Sequence, residues 1–220
     1  MKSAIYGILG LFACGLVSGA LAQAPDDGTV LEKDIPIAVT EVAPGLFFQY
    51  HHAESNNAWL VTDDGVLVID TRQHPKRAEE LLAAIRKTTN KPIKYVINTH
   101  AHGDHYFGNP VFKREGALFI AHRDTEGMMK AHYNLEIKRR MGYFKQMKYD
   151  PAEVKMVLPD LVYDSKLVIT LGGRTIELIY MGPGQNPGDT LVALLNGKRE
   201  TLRIVGVVLS LIQSSRTLKA

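Results

Sequence analysis

"NTHAHGDHYFGNP", residues 98–110, sets three histidines and an aspartate within six positions: His100, His102, Asp104 and His105. Neutral imidazole is a strong zinc donor at about 2.0–2.1 Å, and alternate residues such as His100 and His102 bring two ring nitrogens to one ion. Asp104 and His105 then point elsewhere and suit a second ion. Gly103 and Gly108 give the backbone the freedom that such convergence needs. The stretch directly follows "KYVINT", a short apolar run that reads as a buried strand. A polar, ligand-rich loop at the end of a buried strand is the signature of a metal site.

Outward from this loop the chain alternates strands and helices. Upstream, "IAVTEVAPGLFFQY" and "NAWLVTDDGVLVIDT" each place a turn, Pro44-Gly45 or Asp64-Gly65, between β-rich runs and read as antiparallel hairpins. "HPKRAEELLAAIRKTTN" follows with Ala78, Leu81, Leu82 and Ile85 on a helical period and Pro75 in its first turn. Downstream, "ALFIAH" is a strand. Residues 124–148 read as one long helix opened by Asp124 and closed before Asp150-Pro151, with Met129, Tyr133, Ile137, Met141 and Phe144 as its core stripe. Two strands flank Gly172-Gly173, and the loop "GPGQNPGDT" leads to a last apolar run, "LVALL". This order predicts a layered α/β domain with a mixed sheet over residues 36–220.

The bulk properties agree. The chain has 220 residues, 45% hydrophobic and 22% charged, which suits one globular domain. A net charge of +3, spread along the sequence, gives no basic stripe for nucleic acid. The cluster Lys138-Arg139-Arg140 reads as a solvated helix face. At the N-terminus, Lys2, an apolar run and the triplet Ala20-Leu21-Ala22 have the layout of a secretory signal peptide spanning residues 1–22. Cleavage there removes Cys14, the only cysteine, and the mature protein is expected in the periplasm or secreted without a membrane span.

"THAHGDH" resembles the His-x-His-x-Asp-His signature of the metallo-β-lactamase-fold hydrolases. "NAWLVTDDGVLVIDT" resembles that family's early strands, ending in the aspartate, Asp70, that buttresses the metal loop. "AHRDT", with His122, is similar to the next strand end, where His122 is expected to support the ligands from behind. "GPGQNPGDT" is similar to the loop that carries a further ligand, here Gln185 in place of histidine. The resemblance runs from about residue 36 to 195. It implies an αβ/βα sandwich, one or two zinc ions (iron or manganese as alternatives), and hydrolysis of a small-molecule ester, thioester, lactone, lactam or phosphate ester. His100 and His102 would hold the first ion, Asp104 and His105 the second, and Asp104 would orient the attacking water.

The sequence departs from the family downstream. Gln185 offers a neutral amide oxygen, a poorer zinc donor than imidazole. Residues 190–220 contain no Asp, His or Cys, and the tail 196–220 lacks the earlier turn punctuation. The expectation is a divergent, C-terminally truncated member, its reading frame shifted after about Leu195 and the second half of its sandwich incomplete. An apolar sheet face left exposed would favour self-association. Two functions follow: an exported metal-dependent hydrolase, or a ligand-depleted binding protein or inactive fragment of such an enzyme. The other histidines, His51, His52, His74 and His132, are expected on the surface or outside the ligand set.

Overall fold

The Pro44-Gly45 and Asp64-Gly65 turns each close a hairpin. β1 (Val39–Ala43) pairs antiparallel with β2 (Leu46–Gln49), β2 with β3 (Asn57–Thr62), and β3 with β4 (Gly65–Ile69). Gly45 turns at φ 73°, a left-handed conformation that glycine adopts without steric cost. All of β4 is buried: Val66 and Val68 face one side, Leu67 and Ile69 the other. A strand buried on both faces belongs to the middle of a layered domain.

The molecule is described here from a computed structural model covering residues 38–51 and 54–195, together with the backbone of 202–206. The expected leader 1–22, His52 and most of the tail 196–220 lie outside the described residues.

After β4, helix α1 (Pro75–Arg86) crosses over the sheet and returns the chain to β5 (Ile93–Ile97), parallel to β4. Two short helices, α2 (Gly103–Tyr106) and α3 (Asn109–Arg114), lead to β6 (Leu118–His122), parallel to β5. Helices α4 (Arg123–Arg139) and α5 (Met141–Met147) and a 3-10 turn at Pro151–Glu153 precede β7 (Leu161–Tyr163), parallel to β6. The seven strands lie in sequence order, giving a mixed sheet. The remainder, β8 (Lys166–Leu171), β9 (Arg174–Tyr180), β10 (Thr190–Leu195) and β11 (Leu202–Gly206), forms a four-stranded antiparallel sheet in the order β11-β10-β9-β8.

The two sheets share one core. Leu60, Leu67, Ile69, Ile97 and Ile120 of the first meet Ile176, Leu178, Val192 and Leu194 of the second. On the far side of the first sheet, Trp59, Val68, Val96 and Phe119 pack against Ala78, Leu81 and Ile85 of α1 and Phe112 of α3. Each Val, Leu, Ile or Phe among them contributes about 1.5–3 kcal/mol by leaving water. The result is the expected layered α/β sandwich with a mixed sheet. No helix among the described residues is long and apolar enough to cross a membrane.

Three details differ from the sequence reading. The helix over 124–148 is two helices that break at Arg140, and its cap is the His122 ring, which accepts from the Asp124 N–H at 3.1 Å. The break ends the regular stripe: Met129 and Phe144 are buried, but Met141 is exposed. His74 and His51 are buried rather than superficial. His74 caps α1, its Nδ1 accepting from the Lys76 N–H at 3.2 Å, and its ring stacks on Tyr149. His51 lies 3.7 Å from Glu54, a carboxylate enclosed with Arg72 and Arg77.

Candidate metal centre

The parallel strands β4, β5 and β6 all end at one edge of the sheet, the place where α/β folds build sites. Asp70 follows β4, the 98–108 loop follows β5, and His122 closes β6.

Asp70 organises this edge. Its backbone sits at φ 61°, a left-handed conformation that aspartate and asparagine tolerate better than other non-glycine residues. Its Oδ1 accepts from the Thr99 N–H at 2.8 Å, and its Oδ2 accepts from the Thr99 hydroxyl and from His105 Nδ1, each at 2.8 Å. Holding His105 through Nδ1 leaves Nε2 for the site, 3.4 Å from Asp104 Oδ2. The Thr99 hydroxyl also lies 3.0 Å from His100 Nδ1, which fixes that ring as well.

Three imidazoles converge as a result. The His100 ring centroid is 3.8 Å from that of His105 and 4.9 Å from that of His102. His100 is 5% exposed, and its Nε2 is buried without a hydrogen-bond partner. Buried nitrogens are nearly always satisfied, so an orphan among other imidazoles marks a place for a ligand. Burial pushes His100 well below the ordinary histidine range, and His105 and His102 push it further. Burial also lowers His102, against the opposing pull of Glu136 and Asp104. Both rings are therefore neutral near pH 7, the form that binds metal. His105 is different: burial lowers it, but Asp104 and Asp70 outweigh that and leave it pushed up to about 10.

Asp104 is held from two sides. Burial would raise its pKa, yet His105 and Arg140 keep the carboxylate well below its usual range. The Arg140 guanidinium donates to Asp104 Oδ1 through one NH2 group and to Glu136 Oε2 through the other, at 2.5 Å. Glu136, 2% exposed, also accepts from the Gly103 N–H at 2.9 Å and from Arg139 at 2.6 Å. The Ser55 hydroxyl donates to the Asp104 carbonyl. Lys138 and Arg139 face solvent as the sequence predicts, but Arg140 does not, because the break after α4 turns it inward. Among the described residues, no group of three or more His, Cys, Asp and Glu side chains is already drawn together as a closed cation cage.

The 183–189 loop closes one side. Asp189, buried, accepts from the N–H groups of Gln185 (2.6 Å) and Asn186 (2.9 Å). This turn leaves Gln185 exposed and brings Asn186 inward, its Nδ2 3.2 Å from His102 Nε2. The loop residue that meets the histidines is thus Asn186, one position beyond the expected Gln185. The Thr190 N–H then donates to the Thr99 carbonyl at 2.9 Å, joining the second sheet to the histidine loop. His122 is engaged with the chain that leads into and forms the second sheet. Its Nε2 donates to the Asp164 carbonyl at 2.6 Å, and its ring stacks on Tyr180. It packs closely under the 183–189 loop, since a Cβ on Gly188 would stand 3.0 Å from its Nδ1.

Sequence reasoning missed Glu136, Arg140, Asn186 and Asp189. Only Asp189 carried a local signal, as an acceptor in a turn rich in Gly and Pro.

Comparison with known proteins adds four relations. The profile of the Metallo-beta-lactamase superfamily matches residues 53–201. A linear primary-alkylsulfatase of Pseudomonas sp. (strain ATCC 19151) is 36% identical over 52 residues, 24% of this chain and 10% of that protein. A metallo-beta-lactamase type 2 of Bacillus cereus is 26% identical over 151 residues, 67% of this chain and 49% of that protein. This chain therefore spans about half the length of the Bacillus relative and far less of the Pseudomonas one. Among solved structures, a Cronobacter sakazakii metallo-beta-lactamase described by its HARLDQ motif superposes with a TM-score of 0.59 at 22% identity. That match covers 78% of this chain and 62% of the other, and it concerns the fold alone.

Proposed function

The chain belongs to the metallo-beta-lactamase superfamily, and from that premise we propose that it is a zinc-dependent hydrolase acting on an ester, thioester, lactone or lactam. The observation that carries the reading is the buried, unpartnered Nε2 of His100 beside the rings of His102 and His105. These three residues would hold the ion, His105 releasing upon ligation the proton that Asp104 and Asp70 favour. When bound, the ion supplies Lewis acidity toward a carbonyl oxygen and a nucleophilic water near neutral pH.

The chain's own residues do the rest. Thr99 and Asp70 orient His100 and His105, so ligation costs little reorganisation. Burial keeps His100 and His102 unprotonated. Asp104, ionised, offers the oxygen not held by Arg140 as a hydrogen-bond acceptor that orients the attacking water. The leader pattern of residues 1–22 supports export to the periplasm or beyond. Substrate choice within the carbonyl class follows the site and not the fold.

Elemental analysis of the purified chain, paired with a hydrolysis screen, tests the proposal. Bound zinc, with hydrolysis abolished by a chelator and restored by zinc, is the expected result. A monodisperse chain that takes up no metal from a zinc-supplemented buffer would sink it.

A further inference from the structure

Arg140 occupies an unusual position for a surface cation. It stands at the junction of α4 and α5, where the helix direction changes, and its guanidinium lies 5.7 Å over the Phe107 ring. One side of its fork binds Asp104 and the other binds Glu136. Glu136 is itself fixed by the Gly103 N–H, which lies between His102 and Asp104 in the histidine loop. The arginine is thus built into the loop it faces, wedged between the buried Glu136 carboxylate and the partly exposed Asp104 carboxylate. A planar guanidinium can bridge two carboxylates in this way, whereas a lysine ammonium lacks the rigid fork.

We propose that Arg140 stands in for a second cation, so that this site takes one metal ion and holds Asp104 with a guanidinium in place of another. The proposal rests on the reading of the site as a metal centre, and it assigns Arg140 the role of a positioning residue. Asp104 has one oxygen bound by Arg140, and that oxygen is committed before any second ion arrives. A divalent ion placed between Asp104 and Glu136 would have to displace a cation already paired with both. Two carboxylates left without that cation would be a strongly attractive place for a metal, because enclosed charges demand compensation.

The test is zinc content by elemental analysis, after equilibration with zinc and removal of loosely held metal, for the wild-type chain, Arg140→Ala, Arg140→Lys and Asp104→Asn. Arg140→Ala is expected to hold one ion more than wild type, while Arg140→Lys, which keeps the charge, stays at the wild-type number. Asp104→Asn, close in shape to the parent, is expected to keep the wild-type number, since Arg140 and not a metal holds that carboxylate. The proposal is overturned if wild type already holds two ions, if Arg140→Ala holds no more than wild type, or if Asp104→Asn loses an ion. Should Arg140→Ala fail to fold, the Asp104→Asn result decides. A wild-type value of zero rejects the metal-hydrolase reading separately, since Arg140 is judged by the difference between variant and parent.

Discussion

His105 Nδ1 and Asp70 Oδ2 meet at 2.8 Å, and the same carboxylate holds both the N–H and the hydroxyl of Thr99. One buried side chain therefore sets the ring orientation of His105 directly and that of His100 through Thr99. Asp70→Asn keeps the shape and tolerates the left-handed backbone, so it isolates the charge. It is expected to weaken zinc binding by about 10–100-fold, measured by competition with a chromophoric chelator. Asp70→Ala should also lower the melting temperature, since it adds backbone strain and leaves three donors unsatisfied. Wild-type zinc affinity in Asp70→Asn would show that Asp70 does not orient the ligands.

Gly108 tests how tightly the histidine loop is seated. Its φ of −83° suits any residue, so the penalty for substitution is purely one of space. A Cβ would come within 1.8 Å of the Thr71 carbonyl oxygen and 2.5 Å of Ala78 Cβ. Gly108→Ala is expected to destabilise the fold by about 1–3 kcal/mol or more through overpacking. Urea denaturation reads this as a lower midpoint with an unchanged slope.

Acid should destabilise the metal-free protein through its buried histidines. Burial pushes the pKa of His74 down, against the hydrogen bond that its Nε2 donates to the Asp150 carbonyl. Protonation would also place a proton on Nδ1, which accepts from the Lys76 N–H. Above the unfolded pKa of about 6.5, folded and unfolded His74 are both neutral, and stability is full. Below it the unfolded chain binds the proton first, so stability falls with pH until the folded ring also titrates. His74→Asn retains an acceptor at the helix cap, and its urea midpoint should fall less steeply from pH 7.5 to 5 than that of wild type. Parallel pH profiles for the two proteins would refute this account of His74.

The 183–189 loop separates two neighbouring amides. Gln185→Ala is expected to leave zinc affinity within about twofold, because that side chain is exposed, whereas Asn186→Ala removes the group seated on His102 and should weaken binding about tenfold. Isothermal titration of both variants distinguishes the two positions. The reverse ranking would mean that Gln185 turns inward when zinc is present.

Much of this fold is legible in the sequence because the relevant physics is local. Pro44-Gly45 and Asp64-Gly65 close hairpins whatever lies around them, and "GVLVI" is apolar on both faces because it has layers on both sides. His100, His102, Asp104 and His105 share one loop, so their convergence needs no long-range information. Arg140 was hidden for the opposite reason. Its role depends on a helix break, with no proline at the junction to announce it, and on Glu136 and Asp104 arriving from two different elements. Asn186 was missed by one position, since the direction of a side chain in a loop rich in Gly and Pro depends on Asp189 gathering the backbone N–H groups. His74, placed before Pro75, could have been read as a helix cap, because a polar acceptor ahead of a first-turn proline is a helix-start signal.

The Thr190 N–H bond to the Thr99 carbonyl acts mechanically as a registration pin. Sheets packed through apolar side chains can slide against each other at modest cost, because such contacts have little directional preference. A backbone hydrogen bond does not allow this, and here it is anchored on the residue immediately before His100. Alignment of the two layers and aim of the first imidazole are thus one degree of freedom. Shear between the sheets, whether from pressure, a core substitution or a bound neighbour, would be felt at the histidines before it was felt in the strands.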